Sequence, residues 1–323
     1  HEARAVRGAI DFDTTETRFV FDDKGKLDGI VPTIRHDAHR IIEECMLVAN
    51  VAAARLLLRN KIPALYRVHE RPSVEKLTDL HQFLAELGLQ LECGTEPTAL
   101  DYARLLESIQ ERPDAHMIQT VLLRSMMQAV YSSENIVHFG LAFPAYGHFT
   151  SPIRRYPDLM VHRAIKHLLI EKDPETFRYS LPQLVTMGEH CSMTERRSDE
   201  ATRDAADTLK CEFMMDKVGE AFSGTIVSVN SFGIFVELNE TYITGLVHVT
   251  ALDHDYFHFD PIGHRLSGER TGKIYRLGDQ VDVVVAAVNL DDRKIDLTLP
   301  KTGDEPARRS KKKRRRRRKV DKS

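Results

Sequence analysis

Near residue 218 the hydrophobic texture of the chain changes, and that break limits the fold more than any other feature. Downstream, short runs rich in Val and Ile alternate with glycines: "GEAFSGTIVSVN", "FGIFVELN", "ITGLVHV", "GDQVDVVVAAVNL" and "RKIDLTL". Short β-branched runs bounded by turn residues read as strands, and five of them so close together predict a small barrel of the OB type. Segment 250–278, between the third and fourth strands, is expected to be a large loop. Upstream of the break the patterning is mostly helical. The expected fold class is α+β: a mixed, helix-rich part followed by a five-stranded OB-fold β-barrel. The boundary is placed near Val218, with units at 1–217, 218–300 and 301–323.

Within the first unit, residues 9–31 predict a hairpin, "AIDFDTTETRFVF" and "LDGIVP" around the turn "DDKGK". Asp37 is placed to cap a helix over 38–59. A short strand and loop is expected in 62–73, helices over 73–87, 99–110 and 114–131, and a loop at 90–98. Pro157 suits the first turn of a helix running to about 171, because its fixed φ matches the helical value. Residues 181–217 are expected to be mostly helical, and no internal repeat is evident.

With 42% hydrophobic and 29% charged residues, the 323-residue chain reads as globular, with room for one large domain and a small one. No secretory-type leader is expected before the first element, and no apolar run reaches the length of a bilayer span. Cys45, Cys93, Cys191 and Cys211 lie far apart without a CxxC or zinc spacing. They are expected to be reduced thiols of a cytoplasmic protein, three of them in or near the core. The formal net charge of −2 conceals a division: residues 301–323 carry 13 Lys/Arg against 3 Asp/Glu, hence +10, and the remainder is then −12. "KKKRRRRRK" at 311–319 cannot bury apolar area and is expected to be disordered. It is either an electrostatic tether to RNA or a ribosome, or a solvated extension.

"HFTSPIRRYPDLMVHR", residues 148–163, is the most unusual stretch for its chemistry. Arg154 and Arg155 sit immediately before a helix N-terminus, whose free N–H groups carry partial positive charge, and beside the hydroxyls of Thr150 and Ser151. Guanidinium forks bind phosphate oxygens in pairs and hydroxyls add neutral hydrogen bonds. The alternative is an arginine pair bonded to neighbouring carboxylates. The helix over 38–59 is apolar nearly all round, yet it carries Glu43 and Asn50, seven residues apart and so on one side. A carboxylate on such a helix is either paired, with Arg40 or Arg55 as candidates, or functional.

In the barrel, Phe222, Phe232, Phe235 and His248 fall at or beside strand starts. Rings exposed on one face of an OB-type barrel stack on bases, each contributing about 1–3 kcal/mol. Any single one of these rings could instead fill the barrel.

"FGIFVEL" (232–238), "GLVHV" (245–249), "LGDQVDVVV" (277–285), "DDRKIDLTL" (291–299) and Gly224 together resemble the S-one-type RNA-binding domain. The resemblance implies contact with single-stranded RNA through Phe222, Phe232, Phe235 and His248. "RIIEECMLVANVAAARLL", "RPDAHMIQTVLLRSMMQAVY", "HFGLAFPAYGHFTSPIRRYPDLMVHRAIKHLL" and "TERRSDEATRD" are similar to the RNB catalytic domain of the ribonuclease II/ribonuclease R family of exoribonucleases. Within that family "SPIRRYPDL" and the basic tail lean toward the ribonuclease R branch. The resemblance implies processive 3′–5′ hydrolysis of RNA to nucleoside 5′-monophosphates, with magnesium, by a monomer. It makes Arg154 the residue that stabilises the charged transition state and Glu43 a carboxylate near the bound nucleotides. It also makes Glu200 a further acidic position and Phe12 an aromatic stacking on terminal bases.

The family's magnesium is held by an aspartate cluster, which is expected to lie before residue 1. Asp11 and Asp13 of "DFD" would share one face of a strand and are a poor substitute. This chain alone is therefore expected to bind single-stranded RNA without cleaving it. The rival reading is an RNA-binding or adaptor protein with no chemistry of its own.

Overall fold

The computed structural model of the chain describes residues 2–12, 16–34, 36–93 and 96–300. Asp13 and the basic tail lie outside the described residues. Helix α1 (Glu2–Arg7) leads to an antiparallel hairpin of β1 (Thr17–Phe21) and β2 (Leu27–Pro32). Among the described residues of the expected first arm, only Thr17–Phe21 is strand. Residues 9–12 instead cross to another loop, where the Ile10 amide donates to Gly140 O at 2.9 Å.

Helix α2 (Asp37–Arg59) buries Leu47, Asn50, Val51, Ala54 and Leu57, a repeat of three and four residues that turns one stripe inward. Its other face leaves Ile41, Ile42 and Val48 exposed. The cap is His36, not Asp37: His36 has the extended φ/ψ of a residue just outside the helix, and its amide donates to His39 Nδ1 at 3.1 Å. Asp37 occupies the first turn, where a carboxylate also favours the helix dipole.

Strand β3 (Tyr66–Val68) precedes α3 (Val74–Glu86, capped by Ser73), α4 (Ala99–Ser108) and α5 (Ala115–Ser125). The helix expected over 114–131 stops at Ser125. Lys76 Nζ takes the carbonyls of Arg124 and Met126 at 3.3 and 3.0 Å, capping the C-terminus. Residues Val130–Ser132 then form β4, paired antiparallel with β3. Across this ribbon lies α7 (Leu181–Met215), reached from α6 (Tyr156–Ile170). At 35 residues α7 is about 52 Å long. It approaches β4 closely because position 188 is glycine: a Cβ there would sit 3.0 Å from Tyr131 O. One turn on, Ser192 Oγ accepts the Tyr131 amide at 2.9 Å.

Strands β5 (Ala221–Asn230), β6 (Gly233–Leu238), β7 (Thr244–His248), β11 (Gln280–Asn289) and β12 (Lys294–Thr298) form a closed barrel in the order β11-β12-β7-β6-β5. All neighbours are antiparallel except β12 and β7. Gly233, at φ +155°, lets the β5–β6 turn pass so close to β7 that a Cβ would sit 2.3 Å from Val247 O. Residues 250–278 are not a plain loop. They hold a three-stranded antiparallel meander of β8 (Phe257–Asp260), β9 (Arg265–Gly268) and β10 (Ile274–Arg276). Asp255 stitches its open end, accepting the amides of Tyr256, Arg270 and Thr271 at 2.8–3.1 Å.

The change of texture near 218 does not separate two cores. One buried cluster runs from Leu84, Tyr102, Ile118 and Leu122 of the helices into Ile226, Val236 and Val283 of the barrel. Arg124 Nη2 donates to Val227 O at 2.8 Å, and Arg265 pairs with Glu86 at 3.0 Å. The barrel is thereby docked on α3 and α5. Cys211 is buried, Cys93 and Cys191 are half-buried and Cys45 is exposed, as reduced thiols.

Candidate nucleic-acid site

The 148–155 loop is held from three sides. Asn50 of α2, 2% exposed, accepts the Phe149 and Thr150 amides on Oδ1 at 2.9 and 3.2 Å and donates to Tyr146 OH at 3.0 Å. His162 Nε2 lies 2.8 Å from Phe149 O, and its ring stacks on Phe149 at 4.2 Å. Asp158, fully buried in the first turn of α6, accepts the Ser151 amide and Arg155 Nη2 on the same oxygen, both at 2.8 Å. The Arg154 and Arg155 amides turn back to Ser151 O.

Two neighbouring arginines thus end differently. Arg155 is ion-paired with Asp158. Arg154 is exposed, and its guanidinium forms no ion pair or side-chain hydrogen bond among the described residues. Ile153 beside it is fully exposed, at 102%. Ser151 contributes an amide to the loop, while the Thr150 hydroxyl is buried without a partner.

Arg155 also lines a groove of about 460 Å³ with Ala38, His39, Ile42, Glu43, Met46, Leu47, Asn50 and Tyr146. The groove brings Glu43 of α2 and Arg155 of the arginine loop together, over 111 intervening residues. Glu43 does not pair with Arg40 or Arg55. It accepts from Arg4 Nη1 at 3.4 Å, and Arg4 also faces Glu44 at 3.6 Å and Asp11 at 3.5 Å. Arg40 pairs with Asp37 instead.

Behind the loop lies a network that no motif announced. Arg67 of β3 makes two hydrogen bonds to Glu195 of α7, at 2.6 and 3.2 Å, and lies 4.7 Å over the Tyr131 ring. Tyr131 OH bonds His148 Nδ1 at 2.8 Å. Burial pushes the Tyr131 hydroxyl up to about 12. His148 is driven down to about 3, first by burial and then by the positive charges of Arg155, Arg67, His138 when protonated, and Arg154. His138 is also held near 3, mainly by burial. His69 Nδ1 accepts the Gly140 amide at 3.0 Å, so Nε2 must carry the proton that reaches Met127 O at 2.6 Å. The imidazoles stay neutral chiefly because they are buried; Arg67 adds to the shift of all three, and Arg155 and Arg154 to that of His148.

On the barrel, strand pairing sorts the rings. Gly233 opposes His248 and Phe235 opposes Leu246, so Phe235 and His248 share the outer face of β6 and β7. Phe232 is 46% exposed and meets Phe235 edge-on, with centroids 6.0 Å apart. His248 Nδ1 is fixed by Thr250 Oγ1 at 2.8 Å. Phe222 stands apart. It shares the parity of Gly224 and Ile226, faces Val283 across the ladder, and packs on the core.

Two further candidates lie elsewhere. Phe12 is half-buried against the main core. Glu200 is exposed on α7; Glu195, five residues earlier, is the acid that joins the network. Among the described residues no group of three or more His, Cys, Asp or Glu side chains is placed to hold a metal ion. Asp11 is exposed and paired with Arg4. The described residues therefore do not fit a magnesium centre.

An arginine-bearing helix start facing a groove, joined to an OB-type barrel with aromatic rings outside, is the plan of an RNA-handling protein. The RNB domain model matches residues 1–171 and the S1 RNA binding domain model matches 215–299; the chain belongs to the RNB family. It is similar to Ribonuclease R of Escherichia coli, 54% identical over 306 residues, covering 92% of this chain and 38% of that protein. Ribonuclease R of Vibrio cholerae is 55% identical over 309 residues, again 38% of its length. The chain thus spans well under half the length of these relatives. Among solved structures, Mycoplasma genitalium RNase R in complex with ribose methylated single-stranded RNA matches with a TM-score of 0.85 at 32% identity, over 93% of this chain and 47% of that one.

Proposed function

We propose that this chain works as part of a ribonuclease R-like 3′–5′ exoribonuclease that degrades single-stranded and structured RNA processively to nucleoside 5′-monophosphates in the cytoplasm. Residues 1–217 belong to the catalytic domain in this reading, 218–300 bind RNA upstream, and the tail of 301–323 tethers RNA or a ribosome. The protein acts as a monomer. One observation carries the reading: Arg154 is exposed, unpaired with any described carboxylate, and next in sequence to Arg155, which lines a groove with Glu43.

Phosphodiester hydrolysis builds negative charge on the non-bridging oxygens as water adds to phosphorus. A guanidinium already in place stabilises that charge without reorganising, a contribution of several kcal/mol, about that of an oxyanion-hole donor. Arg154 takes this role. Arg155 is held by Asp158 and lines the groove, where its remaining donors face the RNA beside Ser151. Glu43 accepts from ribose hydroxyls, which distinguish RNA from DNA. Phe12 stacks on a terminal base, and Glu200 lies along the RNA path. The barrel holds upstream RNA through Phe232, Phe235 and His248, while Phe222 supports them from the core side. The magnesium implied by the family needs ligands other than the described residues.

The test is release of mononucleotides from poly(A) with magnesium by the full product of the reading frame. Arg154→Ala is expected to lower kcat by about 100- to 1,000-fold with RNA affinity nearly unchanged. Equal loss of both would remove the transition-state role.

A second reading, RNA binding without chemistry, is favoured by the lack of a metal-holding cluster among the described residues. The present chain by itself is expected to bind single-stranded RNA and release no mononucleotide; cleavage by it would refute that.

A further inference from the structure

We propose that Asn50 and Asp158 are positioning residues that divide the labour of the two adjacent arginines, binding Arg155 into the fold and leaving Arg154 free for phosphate. The inference rests on the exoribonuclease reading and concerns how its charged loop is built.

Adjacent arginines on a flexible loop would compete for any nearby carboxylate. Here the choice is made by burial. Asp158 is fully buried, and its Oδ1 is saturated by the Ser151 amide and Arg155 Nη2. Asp158 lies in the first turn of α6 and takes Arg155, the residue at the helix cap, while Arg154 lies one residue further outside the helix with its side chain in solvent. A buried carboxylate deprived of its cation is strongly disfavoured, so the pair is held firmly. Asn50 acts from the opposite side. All its hydrogen bonds go to this region: two loop amides, Phe149 and Thr150, and Tyr146 OH. Three successive amides, 149 to 151, therefore end on two buried side chains from two different helices.

The polar atoms left over point the same way. Thr150 Oγ1, Arg155 Nε and Asp158 Oδ2 are buried without a protein partner, half of the six such side-chain atoms among the described residues. Orphaned buried polar groups are rare and concentrate where a loop is fixed for function rather than for stability. The loop is thus held in one geometry at some expense of hydrogen bonding. Its tip, Ile153 and Arg154, projects into solvent.

The test uses the full product of the reading frame. Asp158→Asn is expected to lower kcat on poly(A) by about 10- to 100-fold with KM within about twofold, the loss typical of a misplaced catalytic group. In an Arg154→Ala background the same substitution should change kcat by less than about twofold, because two residues acting as one unit are not additive. A merely structural role predicts the same loss in both backgrounds, and that result would overturn the proposal, as would an unchanged kcat in the single variant. Should Asp158→Asn not fold, Asn50→Ser, which leaves the arginine pair intact, is put through the same cycle. Amide exchange of 149–151 in this chain gives a readout independent of activity: faster exchange there in either variant supports the clamp, and unchanged exchange refutes it. If the unsubstituted full product releases no mononucleotide, the nuclease reading falls, while the exchange measurement still decides whether the clamp exists.

Discussion

Arg67 on β3 and Glu195 on α7 join across 128 residues of sequence through two hydrogen bonds, at 2.6 and 3.2 Å. Arg67 is mostly buried, at 15%, with Tyr131 beneath its guanidinium. Glu195→Ala leaves that cation without its carboxylate. The expected loss is about 1–3 kcal/mol of unfolding free energy, less than for a fully buried pair because Glu195 is 35% exposed. Urea unfolding checks it. Arg67→Met/Glu195→Leu together should be closer to the unsubstituted protein than either change alone.

The barrel rings separate by location. Phe232→Ala, at an exposed ring, should change stability by less than about 0.5 kcal/mol and weaken oligo(A) binding roughly 5- to 150-fold, one stacked base. Phe222→Ala removes core packing and should lower stability by about 1–3 kcal/mol. Anisotropy titration beside thermal unfolding distinguishes the two. A large stability loss in Phe232→Ala would contradict its exposed position.

Acid should loosen the helix-rich part. His138 and His148 titrate near 3 in the folded chain but near 6.5 when unfolded. Both pKa values are depressed by folding, so the unfolded state binds more protons as pH falls below 6.5. Stability is whole above that pH and is lost progressively down to about 3. At pH 5 the loss is on the order of 1–2 kcal/mol per histidine. Denaturant midpoints between pH 7 and 5 measure it. The slope should flatten in His148→Gln, and an unchanged slope would show that other groups dominate.

Deleting 307–319 removes the densest run of cations in the sequence. RNA affinity should fall most at low salt, and the log–log salt dependence should become shallower by about 0.7 for each single-strand phosphate that the segment had neutralised. An equal slope with and without the segment would assign it another task.

Much of the architecture is legible in the sequence because local rules decide it. Alternation of Val and Ile between glycines leads to the barrel strands, and Pro157 to the start of α6. The same rules fail where a partner far along the chain decides. The helix expected to continue to 131 ends at Ser125 because Lys76 takes its last carbonyls and β3 recruits Val130–Ser132. The 250–278 segment lacks long apolar runs, yet Asp255 and antiparallel pairing fold it into a meander.

The amino-acid sequence by itself determines which chemical groups the site owns: two arginines and two hydroxyls before a proline-started helix, a carboxylate on an apolar helix, and rings beside strand turns. It could not determine which arginine is committed and which is free, nor that Glu195 and not Glu200 meets Arg67. Nor could it place Phe222 inside while Phe232, Phe235 and His248 lie outside. Those choices depend on burial and on hydrogen bonds between segments a hundred residues apart, and only a folded backbone brings such segments within about 3 Å of each other.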